Sequence, residues 1–378
     1  MRKIAYCCLT ILLLCCKDKY DAPVKVPVTG YLVIEGYISA KGPAEIHLSR
    51  SIPLSDTAKL INETLAKVQV QGRDNSTYNL TETPGATYTN NLLILNNSQQ
   101  YRLYIKTKDG KEYASDYVNV RDAPPIDSVG WVRQDGGVEI YVNASDRNNN
   151  TWYYRWTTEE TWEFHSRYYQ SLKYTLNSEG EVNGVTWIRP DRRPIDSVYI
   201  CWASEQSTNL VLGSSVKLSK DSIHKNLIFI PPASWKLGVL YSVLIKQYAL
   251  SKEEYEYLDK MKKNSEETGN IFGRQPSELK GNVHCISSPS DPVIGYIGIA
   301  NRQEKRIFID RNQVPDWLYF LSCESFIVPV DSASFYANYT PVGPIDYDQN
   351  GIRSYLAVQG TCVDCTLRGV NKKPSFWP

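Results

Sequence analysis

Residues 152–164 read Trp-Tyr-Tyr-Arg-Trp-Thr-Thr-Glu-Glu-Thr-Trp-Glu-Phe. Counting by twos puts Trp152, Tyr154, Trp156, Trp162 and Phe164 on one face. Tyr153, Arg155, Glu159 and Glu163 fall on the other. Side chains alternate between the two faces of a strand, so this pattern predicts a half-buried antiparallel strand. Rings on the inner face fill the space between two sheets. Accessible rings would instead stack on a sugar or a peptide side chain. Trp152, Tyr154, Trp156 and Trp162 are therefore core candidates and, at the same time, the candidate ligand contacts. Glu159 and Glu160 are adjacent and point to opposite faces, which argues against a cooperating carboxylate pair for glycoside hydrolysis.

Upstream of this strand lie short β-rich runs: 31–36, 44–49, 66–71, 77–80, 92–95, 101–107 and 111–118. Turn signals separate them, among them Gly42-Pro43, Pro84-Gly85 and the tight hairpin Lys108-Asp-Gly-Lys111. This spacing of strands predicts an immunoglobulin-like sandwich. Arg121-Asp-Ala-Pro-Pro125 breaks the pattern and is the best domain boundary. Downstream, Val138, Ile140 and Val142 share a face, and a polar turn occupies 145–150. Leu240–Ala249 is strand-like. Ser251-Lys-Glu-Glu254 is a capping box, with Tyr255, Leu258 and Met261 at helical spacing after it. The expected fold class is mostly β. An immunoglobulin-like β-sandwich over 30–122 is followed by a larger β-rich domain over 123–378 with one short helix near 252–266. The tail from Gly360 reads as loop.

The chain has 378 residues, 42% hydrophobic and 22% charged, with a formal net charge of +1. That length supports two or three domains and a core that does not depend on disulfides. A near-zero charge lacks the basic excess of a nucleic-acid binder. Tyr is frequent at 27 and Cys stands at 9.

Residues 1–16, MRKIAYCCLTILLLCC, open with Arg2 and Lys3 and continue into an apolar run. The run is too short to span a bilayer and suits a signal-peptide core. Its Leu-Leu-Leu-Cys-Cys ending resembles a bacterial lipobox. Cys16 is the expected lipidated residue and Cys15 the alternative. Removing the segment before Cys16 takes away two positive charges and leaves +1 − 2 = −1. Acyl chains, at about 0.8 kcal/mol per buried CH₂, would then do the anchoring. Residues 17–29 read as a polar tether.

Five cysteines lie beyond the signal: Cys201, Cys285, Cys323, Cys362 and Cys365. An exported chain permits disulfides. Cys362-Val-Asp-Cys365 has no second CxxC and no nearby His, so it reads as a structural staple rather than a zinc site. Its members can pair with each other or with Cys323 and Cys201, and the odd count leaves at least one thiol free. No metal pair of His, no G-x-S-x-G elbow and no Walker loop is present, and Gly295-Tyr-Ile-Gly298 has too few glycines for a nucleotide fingerprint. No cofactor is expected.

Several segments together resemble the Bacteroidota lipoprotein family called domain of unknown function 4249. They are Tyr31-Leu-Val-Ile-Glu-Gly36, Pro124-Pro-Ile-Asp-Ser-Val129, Tyr153-Tyr-Arg-Trp156 through Phe164, and Tyr241–Leu250. Gln275-Pro276, Gly281-Asn-Val283, Val293-Ile-Gly-Tyr296, Cys362–Cys365 and Pro374-Ser-Phe-Trp377 continue the likeness. The resemblance implies an outer-membrane, surface-facing lipoprotein partnered with a TonB-dependent receptor. It carries no catalytic residues over. The expectation is a non-enzymatic binding or accessory subunit for nutrient uptake, taking an oligosaccharide or peptide ligand. A surface hydrolase and a purely structural envelope protein are the alternatives.

Overall fold

The computed structural model describes residues 30–52, 61–134, 136–191, 198–267 and 279–378. The signal segment with Cys15 and Cys16, the tether and Gln275-Pro276 lie outside them. The described residues form a mostly β protein with immunoglobulin-like sandwiches.

In the first sandwich, strands run in the order Leu32–Ser39, Lys41–Arg50, Thr87–Ile94, Thr77–Thr83, Lys67–Gly72, Gln100–Lys106 and Glu112–Ser115. The sheet curls so that Leu32, Ile34, Ile46 and Leu48 share a core with Val70, Leu103, Ile105 and Tyr113. The hairpin at Lys108–Lys111 closes as its sequence predicts. Gly110 takes φ 89° and donates its N–H to Thr107 O at 2.9 Å. Gly42-Pro43, by contrast, is not a turn. It lies inside the strand Lys41–Arg50, where the pairing shifts register between Gly42 and Ala44. A bulge is one of the few places a sheet accepts proline, because no ladder N–H is needed there.

The second region is itself an immunoglobulin-like sandwich. A sheet of Ile126–Gln134, Gly137–Ser145 and Ser222–Ile230 faces a second sheet. That second sheet runs Ile200–Gln206, Tyr153–His165, Leu240–Ala249 and Gln303–Asp310, with Val211–Ser214 on the other half of the same edge. Of these eight strands the first, second and sixth thus sit opposite the third, fourth, fifth, seventh and eighth. Val138, Ile140 and Val142 meet Tyr154, Trp156, Tyr241 and Val243 in the core between them.

Two features depart from the boundary expected near 122. Val283–Cys285, Val293–Ile294 and Ile299–Asn301 leave the second region and pair with strands of the first. Local pattern identifies a strand, but backbone groups left unpaired at a sheet edge choose its partner. The rest of the expected larger domain holds a small satellite. There Ser325–Pro329, Gly351–Val358 and Thr340–Asp348 form a sheet, and the hairpin Leu172–Leu176 with Val182–Trp187 packs on it around Leu172, Val328 and Tyr355.

Cys201–Cys365 and Cys323–Cys362 are the disulfides, and Cys285 is a buried free thiol. The two cysteines of the CxxC therefore pair away from each other, one with the sandwich and one within the satellite. The tail beyond them crosses the outer face of the second sandwich. Trp202 and Val370 exchange backbone hydrogen bonds at 2.9 Å, and Trp377 Nε1 donates to Glu163 (3.1 Å).

The helix spans Lys252–Glu267 and buries Tyr257 and Leu258 against Leu212, Tyr248 and Leu250. Among the described residues no helix is long and apolar enough to cross a membrane.

Candidate functional site

The central strand Tyr153–His165 places the predicted ligand contacts inside. Tyr154 and Trp156 are 0% exposed and Trp162 is 3%. These three are core residues, not a ligand surface. Their face is the one that must meet the opposing sheet, and the space between two sheets admits no ligand. Gly213 makes room for the Trp156 ring, since a Cβ there would lie 2.7 Å from it. Trp156 Nε1 donates to Gln247 Oε1 (2.9 Å), and Gln247 Nε2 donates to Pro124 O (2.8 Å). Trp152 precedes the strand and is half-buried.

The acids of this strand are also engaged. Glu160 points inward and accepts from Tyr241 (2.7 Å) and Lys236 (3.0 Å). Burial works against the charge on Lys236, but its bonds to Glu205 and Glu160 outweigh that and raise its pKa. Glu159 pairs with Lys246 on the outer face, and Glu163 with His165.

The cleft lies where the two sandwiches meet. The linker 119–127 and the turn 145–151 enclose an open space of about 850 Å³. Gln247 pins the linker by Pro124, and Arg121–Asp122 pairs with Ile299–Asn301. Asp122 accepts from Asn97 (3.0 Å) and from Asn301. In the turn, burial pushes Asp146 upward, but N–H groups of Asn148, Asn150 and Thr151 outweigh it and hold the carboxyl below its ordinary range. Asn149 takes φ 52°, and its Oδ1 accepts the N–H of Asp221 (2.8 Å). Asp221 is 2% exposed and accepts from Tyr154 (2.6 Å) and Ser215 (2.5 Å). The cleft rim is thereby tied to the core below it. Arg121, Arg147, Asp127 and Asn150 give it charges of both signs and amides.

Next to the cleft, sharing Asn119 and Arg121, is a smaller pocket of about 150 Å³ with Tyr117, Ser251, Glu254 and Tyr296 in its wall. Ser251 Oγ accepts the Glu254 N–H (3.0 Å), and the Ser251 N–H bonds back to the Glu254 carboxylate. The capping box read from the sequence is thus closed. What the sequence did not show is where that carboxylate sits. It lies against Gly298, where a Cβ would come within 2.3 and 2.5 Å of its two oxygens. Burial raises the Glu254 pKa to about 7, against the pull of Arg155, the Ser251 N–H and Arg121. Tyr37 and Tyr248 meet edge-on at 5.3 Å on the same junction, and Arg302 donates to Tyr37 (2.5 Å). Burial, then the neighbouring Tyr248, pushes the Tyr37 phenol up to about 12. The junction was missed because its residues come from five separate segments. The capping box and the Gly295–Gly298 motif were its only local signals.

Among the described residues no group of three His, Cys, Asp or Glu side chains could hold a metal ion.

A family model described as "Domain of unknown function (DUF4249)" matches residues 17–306. Among curated proteins none matches. Among solved structures the chain is similar to a two-domain fibronectin type III segment of chicken tenascin. The identity is 10%, over 58% of this chain and 90% of that one, with a TM-score of 0.16. It is also similar to a chitinase of Bacillus thuringiensis, at 9% identity over 49% of this chain and 29% of that one, with a TM-score of 0.14. At such TM-scores the sandwich assignment rests on strand order alone.

Proposed function

The chain belongs to the DUF4249 family, and from that premise we propose that it is a lipid-anchored outer-membrane protein. It faces the cell exterior as a non-enzymatic binding or accessory subunit of a TonB-dependent nutrient transporter. The observation that supports the binding role is the open cleft between two sandwiches, lined by charges of both signs and by amides. Such a lining suits a polar ligand such as an oligosaccharide or a peptide, since each hydroxyl or amide finds a donor or an acceptor. The anchor reading rests on residues 1–16 and Cys16. Purification of the chain from native outer membrane tests the partnership. A receptor barrel that travels with it supports the reading, and its consistent absence ends it.

A surface hydrolase acting on glycans or peptides is the competing reading. Glu254 favours it as a protonatable acid, whereas Glu160 is sealed in the core by Tyr241 and Lys236. Turnover of a glycan or peptide that vanishes in Glu254→Gln would establish it.

A further inference from the structure

The sheet of the first sandwich has an outer face, and the charge on it is one-sided. Along Lys67–Gly72 and Gln100–Lys106, Val68, Val70, Tyr101, Leu103 and Ile105 enter the core. Lys67, Gln69, Gln71, Arg102 and Lys106 alternate with them and belong to the other face. Lys67 and Lys106 are direct cross-strand neighbours, and like charges so placed repel each other. Lys106 is answered by Glu112 (2.9 Å). Among the described residues neither Lys67 nor Arg102 forms an ion pair, and Arg73, just past the strand end, forms none either. The acids next to this group in sequence are engaged: Asp74 accepts from Ser76, and Asp116 pairs with His284 (3.3 Å). Four cations thus stand with one acid, and that acid is already paired.

Two of the cations are held in place. The guanidinium groups of Arg73 and Arg102 both lie over the Tyr117 ring, 4.9 and 5.0 Å from its centre. The ring attracts each of them but does not cancel their charge. Arg102 Nε and Nη2 both donate to Gln71 Oε1 (3.1 and 3.0 Å). Gln71 Nε2 donates to Gln69 Oε1 (3.2 Å), and Gln69 Nε2 donates to Asn79 Oδ1 (2.7 Å). Each side-chain carbonyl in this line already accepts a hydrogen bond. The face therefore offers N–H donors and positive charge, and few acceptors.

The chemistry of the ligand follows from that surplus. A guanidinium fixed by an amide and a ring loses little freedom on meeting an oxyanion, which it binds through parallel hydrogen bonds. The amides beside it suit hydroxyl groups. Tyr117 already carries two guanidinium groups, so its ring is no stacking platform for a nucleic-acid base. Lys67, Gln69, Gln71, Arg73 and Arg102 bring no apolar side chain to insert into a bilayer. We propose that this face binds an anionic glycan, with a sulfate or a uronate carboxylate of the glycan on Arg73 and Arg102. An anion there also relieves the repulsion among the unpaired cations. None of Arg73, Arg102 and Tyr117 lines the cleft between the sandwiches. The site is thus separate from the cleft, goes beyond the transport reading and does not depend on a receptor.

The test is calorimetric titration of the full chain in detergent micelles at low salt. The probes are a heparin hexasaccharide, hexagalacturonate, neutral cellohexaose and a single-stranded thymidine hexanucleotide. Either anionic glycan binding about tenfold or more tightly than cellohexaose supports the site. The heparin fragment then identifies sulfate as the recognised group, and hexagalacturonate identifies the carboxylate. Equal binding of cellohexaose overturns the proposal, as does no binding of either anionic glycan at millimolar concentration. Equally tight binding of the hexanucleotide also overturns it, since the face would then hold any polyanion. Arg73 is exposed and lies outside the Gln71 hydrogen-bond line, so Arg73→Gln removes charge without disturbing the fold. It should lose glycan binding about tenfold, and unchanged binding overturns the proposal. Lys217→Gln removes the same charge from the exposed loop before Ser222–Ile230 and should leave binding intact. An equal loss there overturns the proposal. Failure here, with a receptor barrel still co-purifying, leaves the transport reading standing.

Discussion

The strand Tyr153–His165 and the junction around Glu254 are both rich in aromatic and charged residues, yet they were legible to very different degrees. In the strand, every second residue enters one core, and the face assignment follows from the sequence by counting. At the junction, Glu254, Gly298, Arg155 and Arg121 come from four separate segments. The difference is instructive for locating sites. A conspicuous run of Trp and Tyr marks what folding needs, while the carboxylate with the raised pKa sits where segments distant in sequence converge.

Trp156→Ala gives the largest expected effect. The residue is fully buried, and its loss both opens a cavity and strands Gln247. Destabilisation should reach about 3–5 kcal/mol in urea unfolding. A folded variant of unchanged stability that loses ligand would break the comparison and return the strand to the list of binding surfaces.

Next come the cysteines. Cys201 and Cys365 close a loop across a sequence separation of 164. Replacing both by Ser should cost about 2–5 kcal/mol. Peptide mapping under non-reducing conditions should recover Cys201 joined to Cys365, and a Cys362–Cys365 peptide would contradict the structure.

The junction makes a prediction about pH. Glu254 has a folded-state pKa raised to about 7, above its ordinary value of 4.5. The folded state therefore holds the extra proton between those values. This contribution makes stability fall as pH rises from about 4.5 to about 7, by roughly 3 kcal/mol at most. Glu254→Gln should remove that part of the slope in denaturant titrations across the window. An unchanged slope would show that water reaches the carboxylate freely.

Gly298→Ala is expected to be the mildest, about 1–3 kcal/mol of crowding against Glu254. A thermal melt measures it. A variant as stable as the parent would mean that the carboxylate can turn aside, and would sharpen the junction into a mobile rather than a fixed site.

Much of the fold was readable for a physical reason. The hairpin at Lys108–Lys111, the strand Leu240–Ala249 and the helix after Ser251 are set by interactions within a few residues. Gly42-Pro43 misled because the same dipeptide serves a turn or a bulge, and the pairing strand decides which. The return of the strands between Val283 and Asn301 to the first sandwich was not readable, because their partners lie far off in sequence.

By itself, the sequence determined the β class, the alternation of the aromatic strand and the capped helix. Each rests on spacing along the chain, and local sterics and local hydrogen bonds translate spacing directly into conformation. Only the tertiary structure decided the partners of Cys362 and Cys365, the burial of Tyr154, Trp156 and Trp162, and the setting of Glu254 against Gly298. Those depend on which surfaces exclude water together, and that exclusion is settled between segments distant in sequence rather than within any one of them.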